Sequence, residues 1–326
     1  MKKKEDQVSI MRSSHNTWVK RGLVFVPSGK SDWMISRAQL PVVDRVDDNI
    51  LRIYFGTRDG LNQTRATFID VESENPKNIL YVHQQPVLDL GKLGAFDENG
   101  LTPCSIVNFG KLKFLYYTGY NIGRNVPYRT AIGLAVSEDG GRSFKRLYDG
   151  PILDRGPHDP MFCGSPMVLV ENDLWRMWYM SCVEWKTYDG IHEPFYHLKY
   201  AESRDGISWD RKGIVCISFS SEDEGGIGRP SILKESGFYR MWYSFRGSHE
   251  YRTNKKFSYR IGYAESQDGI RWIRKDEEAG IERSGEGWDS EMIEYQCVYK
   301  HGNRTYMFYN GNGFGVSGFG YAELSN

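Results

Sequence analysis

The sequence has no net charge: 42 Lys and Arg face 42 Asp and Glu over 326 residues. A chain without a net field has no long-range pull on nucleic acid or on an anionic bilayer, so partners of those kinds are not expected. Long apolar runs are also missing. The opening "MKKKEDQVSIM" (residues 1–11) is basic, but no apolar stretch follows it; it reads neither as a secretory signal nor as a spanning helix, and the expected location is the cytosol. Cysteine is sparse. Cys104, Cys163, Cys182, Cys216 and Cys297 are odd in number and lack CxxC spacing, which excludes a disulfide framework and leaves reduced, mostly buried thiols. A glycine-rich phosphate loop leading into a helix, a zinc HExxH and a GxSxG elbow are absent too, so no cofactor or metal is expected.

Aromatic residues and glycine are plentiful: 21 Tyr, 16 Phe, 9 Trp and 35 Gly. That mixture suits short strands joined by tight turns. The length allows two ordinary domains or one large all-β domain, and an internal repeat decides between them. Five segments end in paired aromatics: "LRIYFGT" from Leu51, "KFLYYTG" from Lys113, "WRMWYMS" from Trp175, "YRMWYSF" from Tyr239 and "TYMFYNG" from Thr305. The second aromatics, Phe55, Tyr117, Tyr179, Tyr243 and Tyr309, are spaced by 62, 62, 64 and 66 residues.

Each segment follows a shorter apolar run and a polar turn, as a β-hairpin requires. Each precedes a third strand such as "AIGLAV" or "RIGYAE". In three units a turn with Trp or Phe comes next: "SEDGGRSF", "SRDGISW" and "SQDGIRW". These turns resemble the Asp-box of sialidases and are expected to be structural. No helical periodicity competes.

The expected fold is therefore all-β, a five-bladed propeller of four-stranded antiparallel blades in a single domain spanning 1–326. The blades cover approximately 32–90, 97–155, 159–220, 224–284 and 289–326, and residues 1–14 are expected to be disordered. The last blade runs out of chain after its third strand. "TWVKRGLVF", within residues 17–27, matches the fourth-strand cadence of "SWDRKGIV" (208–215) and is expected to close the ring, which removes exposed strand edges.

In a near-symmetric fold, function is sought where the repeats differ. An acid precedes every innermost strand: Asp32, Asp97, Asp159, Glu224 and Asp289. Such recurrence fits loop anchoring. Counting back from the aromatic pairs places Arg37, Thr102, Ser165, Arg229 and Glu294 at the starts of the innermost strands, facing the central channel.

The five units, the "S-x-D-G-x-x-W" turns and the "PSIL" and "PMVL" strand starts resemble the arabinanase, levansucrase and invertase superfamily of five-bladed glycosidases, over residues 17–324. That resemblance implies catalytic carboxylates at the starts of several inner strands, often followed by Pro. Only Glu294 matches, with Tyr295 in place of the Pro. Glycoside cleavage uses one carboxylic acid to protonate the leaving oxygen and a second carboxylate as nucleophile or base.

Glu294 is the candidate acid. The second carboxylate is sought first in Asp159, then in Asp97, with Glu98, Glu224 and Glu291 behind them. His158 could bind a hydroxyl or an ion. Arg37 and Arg229 facing one channel suit a carboxylate or phosphate, pointing to a sugar acid, a sugar phosphate or inorganic phosphate as partner. Trp33, Trp288, Tyr295 and Phe314 could stack on a sugar ring. The inserts "NIGRNVPYR", "VEWKTYDGIHEPFY" and "RGSHEYRTNKKFSY" are candidate binding loops.

The expected function is a carbohydrate-active enzyme, foremost a glycoside hydrolase acting on a charged or phosphorylated saccharide. A glycoside phosphorylase or glycosyl transferase of the same fold, and a non-catalytic glycan-binding propeller, are the alternatives.

Overall fold

A computed structural model describes residues 16–235 and 237–325; residues 1–14, expected to be disordered, lie outside the described residues. Five four-stranded antiparallel blades follow one another along the chain. Blade 1 holds β2 (Ser36–Arg45), β3 (Ile50–Arg58), β4 (Thr64–Glu72) and β5 (Ile79–Val82), and blade 2 holds β6 (Leu101–Phe109), β7 (Leu112–Ile122), β8 (Tyr128–Ser137) and β9 (Lys145–Arg146). Blade 3 holds β10 (Phe162–Glu171), β11 (Leu174–Tyr188), β12 (Ile191–Ser203) and β13 (Asp210–Ile217). In blade 4 these become β14 (Glu224–Glu235), β15 (Phe238–Gly247), β16 (Arg260–Ser266) and β17 (Ile273–Arg274).

Blade 5 contributes only β18 (Glu294–His301), β19 (Arg304–Asn310) and β20 (Phe319–Leu324) from its own stretch of chain. Its fourth strand is β1 (Trp18–Phe25), antiparallel to β20 with Trp18 opposite Leu324 and Phe25 opposite Phe319. The innermost strands β2, β6, β10, β14 and β18 pack side by side in that order, and β18 returns to β2. The ring is closed.

The recurring aromatic pair explains why the blades stack. Neighbouring residues of a strand point to opposite faces, so one aromatic fills the space before its blade and the other the space behind it. Tyr116 and Tyr117 illustrate this: Tyr116 joins a core with Trp175 and Met177 of blade 3, while Tyr117 joins one with Tyr54 and Phe68 of blade 1. Trp178 and Tyr179, and Trp242 and Tyr243, are shared out in the same manner.

The Ser-x-Asp-Gly turns are structural, as their recurrence suggests. Asp205 Oδ1 accepts from the Ile207 and Ser208 amides, both at 2.8 Å, and the Gly206 carbonyl accepts from Tyr116 Oη of the preceding blade at 2.8 Å. Asp268 and Gly269 repeat the arrangement, with Trp178 Nε1 as the donor at 2.7 Å.

Candidate active site

Four of the acids that precede or flank the inner strands are consumed in building blades. Asp97 accepts from Tyr117 Oη at 3.0 Å and from Arg146 Nε at 2.8 Å. Asp159 accepts from Tyr179 Oη at 3.2 Å and Arg211 Nη1 at 3.0 Å, with Lys199 Nζ at 3.4 Å. Asp289 accepts from Tyr309 Oη at 2.9 Å and Lys20 Nζ at 2.6 Å. In blade 4 Tyr243 bonds Asp276, and Arg274 grips both Asp276 and Glu224.

Each staple ties the loop beside an inner strand, or in blade 4 the segment after β17, to the second strand's aromatic and to a base on the fourth strand. Asp97 and Asp159 are fully buried, absent from the channel-mouth cavity and already charge-paired. In this structure both are held as blade anchors rather than presented to the cavity. Blade 1 lacks the staple because Phe55 replaces the tyrosine; Asp32 is exposed there.

The starts of the inner strands also differ from simple counting. Glu294 pairs with Asn310; the residues in the same register are Gln39, Thr102, Gly164 and Gly228, opposite Gly56, Thr118, Met180 and Ser244. Arg37 lies two residues earlier, and Ser165 and Arg229 one residue later. Each inner strand carries a β-bulge at this point, and an added residue shifts every position beyond it. Leu40, Ser165, Arg229 and Tyr295 follow the paired position with φ of 53°, 48°, 54° and 56°. Non-glycine residues rarely adopt that conformation, and its recurrence turns these side chains toward the channel mouth.

There the structure forms a cavity of about 560 Å³. Arg37, Ser165, Arg229, Tyr295 and Phe314 line it, so the two arginines expected to face one channel do meet. Its other cations are Arg58 and Arg252, and no Asp, Glu or Lys lines it among the described residues. Tyr120, Tyr128, Tyr196, Tyr251 and Tyr259 complete an aromatic wall.

Arg229 is 2% exposed and spans the channel, donating to the carbonyls of Cys104 at 2.5 Å and Pro41 at 2.8 Å. Its Nε has no partner. Arg37 donates to the Gly313 carbonyl and to that of Phe314 at 3.2 Å. Burial and then the charge of Arg58 lower its pKa, against smaller raising effects of Glu294 and Tyr295. Burial likewise lowers that of Arg58. A guanidinium starts so high that both stay charged: the cavity holds like charges with no carboxylate between them.

Glu294 is fully buried and does not itself line the cavity. Its Oε1 accepts from Asn310 Nδ2 at 2.8 Å, whereas Oε2 has no partner. Burial drives its pKa well above the ordinary glutamate value, against smaller opposing effects of Asn310, Arg37 and Tyr295. Burial thus disfavours its ionised form.

Of the remaining candidates, Thr102 is buried with its hydroxyl 3.4 Å from Tyr120 Oη, and Glu224 is bound by Arg274 as described. His158 and Glu291 are exposed and away from the cavity. Trp33 packs against the core between blades 5 and 1, and Trp288 stacks on Tyr309 with ring centroids 5.1 Å apart. Beneath the aromatic wall Arg246 is completely buried without a carboxylate. It stacks on Tyr251 at 3.8 Å and donates to Tyr196 Oη and to the Pro194 and Gly247 carbonyls. Glu193, outside the cavity, binds Tyr251 Oη at 2.8 Å and pairs with Arg252.

The residues that counting did not single out came from two sources. Tyr128, Tyr196, Tyr251, Arg252 and Tyr259 sit in the long inserts, whose excess length was the available signal. Arg58, at the end of an ordinary hairpin strand, had none.

No family model matches the chain. It is 38% identical over 309 residues to the uncharacterised protein Rv1502 of Mycobacterium tuberculosis strain H37Rv, covering 95% of this chain and 99% of that protein. MT1551 from strain CDC 1551 aligns equally well. Among solved structures, a glycosyl hydrolase from Bacteroides ovatus superposes with a TM-score of 0.69 at 15% identity, covering 95% of this chain and 94% of that one. A thermostable family-43 glycoside hydrolase gives 0.64 at 19%, covering 91% and 90%. A β-fructofuranosidase from Bombyx mori in complex with sucrose gives 0.59 at 14%, covering 92% and 61%. At these identities the likeness establishes the shared five-bladed fold.

Proposed function

Because the chain belongs to the family of the mycobacterial protein Rv1502 and has the fold of the five-bladed glycosidases, we propose that it is a carbohydrate-active enzyme of glycosidase type whose saccharide substrate carries a carboxylate or phosphate. The observation that carries the reading is the cavity at the channel mouth, where Arg37, Arg58, Arg229 and Arg252 gather without a lining carboxylate. Guanidinium forks match carboxylate and phosphate oxygens, and the tyrosine wall supplies both ring faces for a pyranose and hydroxyls for its polar edge.

Glu294 is the general acid of this reading; it lies behind the cavity lining next to Tyr295, so proton donation requires that lining to shift when the ligand binds. Its neutral form suits protonation of a leaving oxygen, and Arg37 links it electrostatically to the cavity. Hydrolysis by the usual pair would need a second carboxylate. None of the positions in register with Glu294 supplies one, and Asp97 and Asp159 are committed elsewhere.

That shortage favours the phosphorylase reading over simple hydrolysis. An oxygen of inorganic phosphate, already anionic and held by the arginines, needs no carboxylate to activate it. It forms a bond to the anomeric carbon while the glycosidic C–O bond breaks. The Glu294 proton passes to the departing oxygen, and solvent restores it afterwards.

The test is turnover and calorimetric binding with a panel of uronates, sugar phosphates and neutral sugars, each with and without inorganic phosphate. Glu294→Gln is expected to lower turnover by roughly 10²–10⁴-fold while ligand affinity holds. Arg37→Ala combined with Arg58→Ala is expected to abolish the preference for anionic ligands. Equal binding of neutral sugars, or full turnover in E294Q, overturns the reading. A strict requirement for phosphate selects phosphorolysis.

A further inference from the structure

The cavity at the channel mouth does not end at blade 2. Asn121, Ile122 and Thr130 also wall a second basin of about 610 Å³, so the two spaces adjoin. This basin lies over the hairpin between β7 and β8, which is one of the long inserts, and over the segment leading into β10. Its charged groups are Arg124, Arg129, Arg155, Glu98 and Asp154.

Both acids are engaged. Glu98 accepts from the Gly94 amide at 2.6 Å and from Asn121 Nδ2 at 3.0 Å. Asp154 accepts from the Arg155 amide at 2.6 Å and lies 3.9 Å from the Arg155 guanidinium. Arg124 and Arg129 are exposed, and neither makes a side-chain hydrogen bond or ion pair with any described residue.

Across the two spaces the lining therefore presents seven arginines, no lysine and two engaged carboxylates. The whole chain, in contrast, balances its charges evenly. An accumulation of that sort is local and of one chemical type, and it follows a path rather than a point.

The basin's wall also tells against flat aromatic ligands. Its one aromatic residue, Phe96, is occupied by stacking on Tyr117 with centroids 5.8 Å apart, so no platform is left for a nucleobase. Asn121, Asn125 and Thr130 instead offer amides and a hydroxyl, groups suited to sugar hydroxyls.

We infer that the two spaces form one binding track for an anionic oligosaccharide, with one charged unit in the central cavity and a further charged unit on Arg124 and Arg129. The inference rests on the central cavity being an anionic saccharide site, and it adds that the ligand is a chain bearing more than one charge.

The experiment is calorimetry of the full chain with an oligouronate size series, monomer to hexamer, and with a single-stranded oligonucleotide of matching charge. Wild type is expected to gain roughly tenfold in affinity between monomer and tetramer, the scale of two exposed ion pairs. Arg124→Ala with Arg129→Ala is expected to remove that gain and leave monomer binding unchanged. Arg37→Ala with Arg58→Ala is expected to lose both.

Monomer binding without a gain in length overturns the track alone. So does a gain that survives in the R124A/R129A variant. Absence of any uronate binding overturns the track, and absence of sugar-phosphate binding as well overturns the central-cavity reading with it. Tighter binding of the oligonucleotide, dependent on the same arginines, overturns the assignment to a glycan.

Discussion

Glu294 has one carboxyl oxygen bonded to Asn310 and the other without a partner in a site that water does not reach. Desolvation of that kind disfavours the charged form, and the consequence can be read from stability. With the folded pKa raised, the stabilising contribution is fully present below the unfolded value and is lost as pH rises toward the folded one. Glu294→Gln mimics the neutral acid at every pH. The variant is therefore expected to gain on wild type as pH is raised from about 4, the ordinary carboxylate value, to neutral. Urea midpoints at the two pH values measure this, and a constant gap between the proteins would contradict a neutral Glu294. Glu294 was legible in the sequence because an acid at the start of an inner strand stands out in a repeat. That Arg37, Ser165 and Arg229 stand out of register with it was not, because a bulge adds a residue without changing the strand's composition.

Within a blade, the adjacent aromatics of one strand do different work. Tyr116 donates to a neutral carbonyl, that of Gly206, whereas Tyr117 donates to a buried carboxylate that Arg146 also holds. Hydrogen bonds to charged groups contribute about 1.5–3 kcal/mol, against about 1 for neutral ones. Tyr117→Phe is thus expected to cost more than Tyr116→Phe, by roughly 1 kcal/mol, in chemical denaturation. Equal losses would mean that the Asp97 staple contributes nothing beyond packing. Strands, turns and aromatic pairs could be read from the chain because each is set by residues close in sequence. The staples were only half legible: the recurring acids suggested anchoring, but their partners on the second and fourth strands are tens of residues away, and the blade 4 staple draws on Asp276 rather than on the loop acid alone.

The molecule as a whole depends on a strand borrowed from its beginning. Without β1, β20 would present an unpaired edge, and the blade would lose Trp18, which is 6% exposed and meets Trp242 edge to face at 5.5 Å. Lys20 would no longer neutralise Asp289, leaving a buried carboxylate with Tyr309 alone. Loss of a large buried aromatic costs about 3–5 kcal/mol, and breaking a buried ion pair on one side costs a similar amount. Against a total stability of about 5–15 kcal/mol, these are large losses. Phe25 of β1 also packs on Phe55 of blade 1 with ring centroids 5.1 Å apart, so losing β1 is expected to loosen blade 1, which contributes Arg37 and Arg58 to the arginine cavity. A chain lacking residues 1–27 is therefore expected to melt well below the full protein and to lose anionic-ligand binding with it. A synthetic peptide of residues 16–28, supplied in trans, should restore both as its concentration rises, since a ligand that binds only the folded form stabilises it by mass action. Scanning calorimetry follows the first effect and ligand titration the second. Unchanged melting after truncation would mean that the blades hold their circle without this strand, and recovery of melting without recovery of binding would separate the ring from the site.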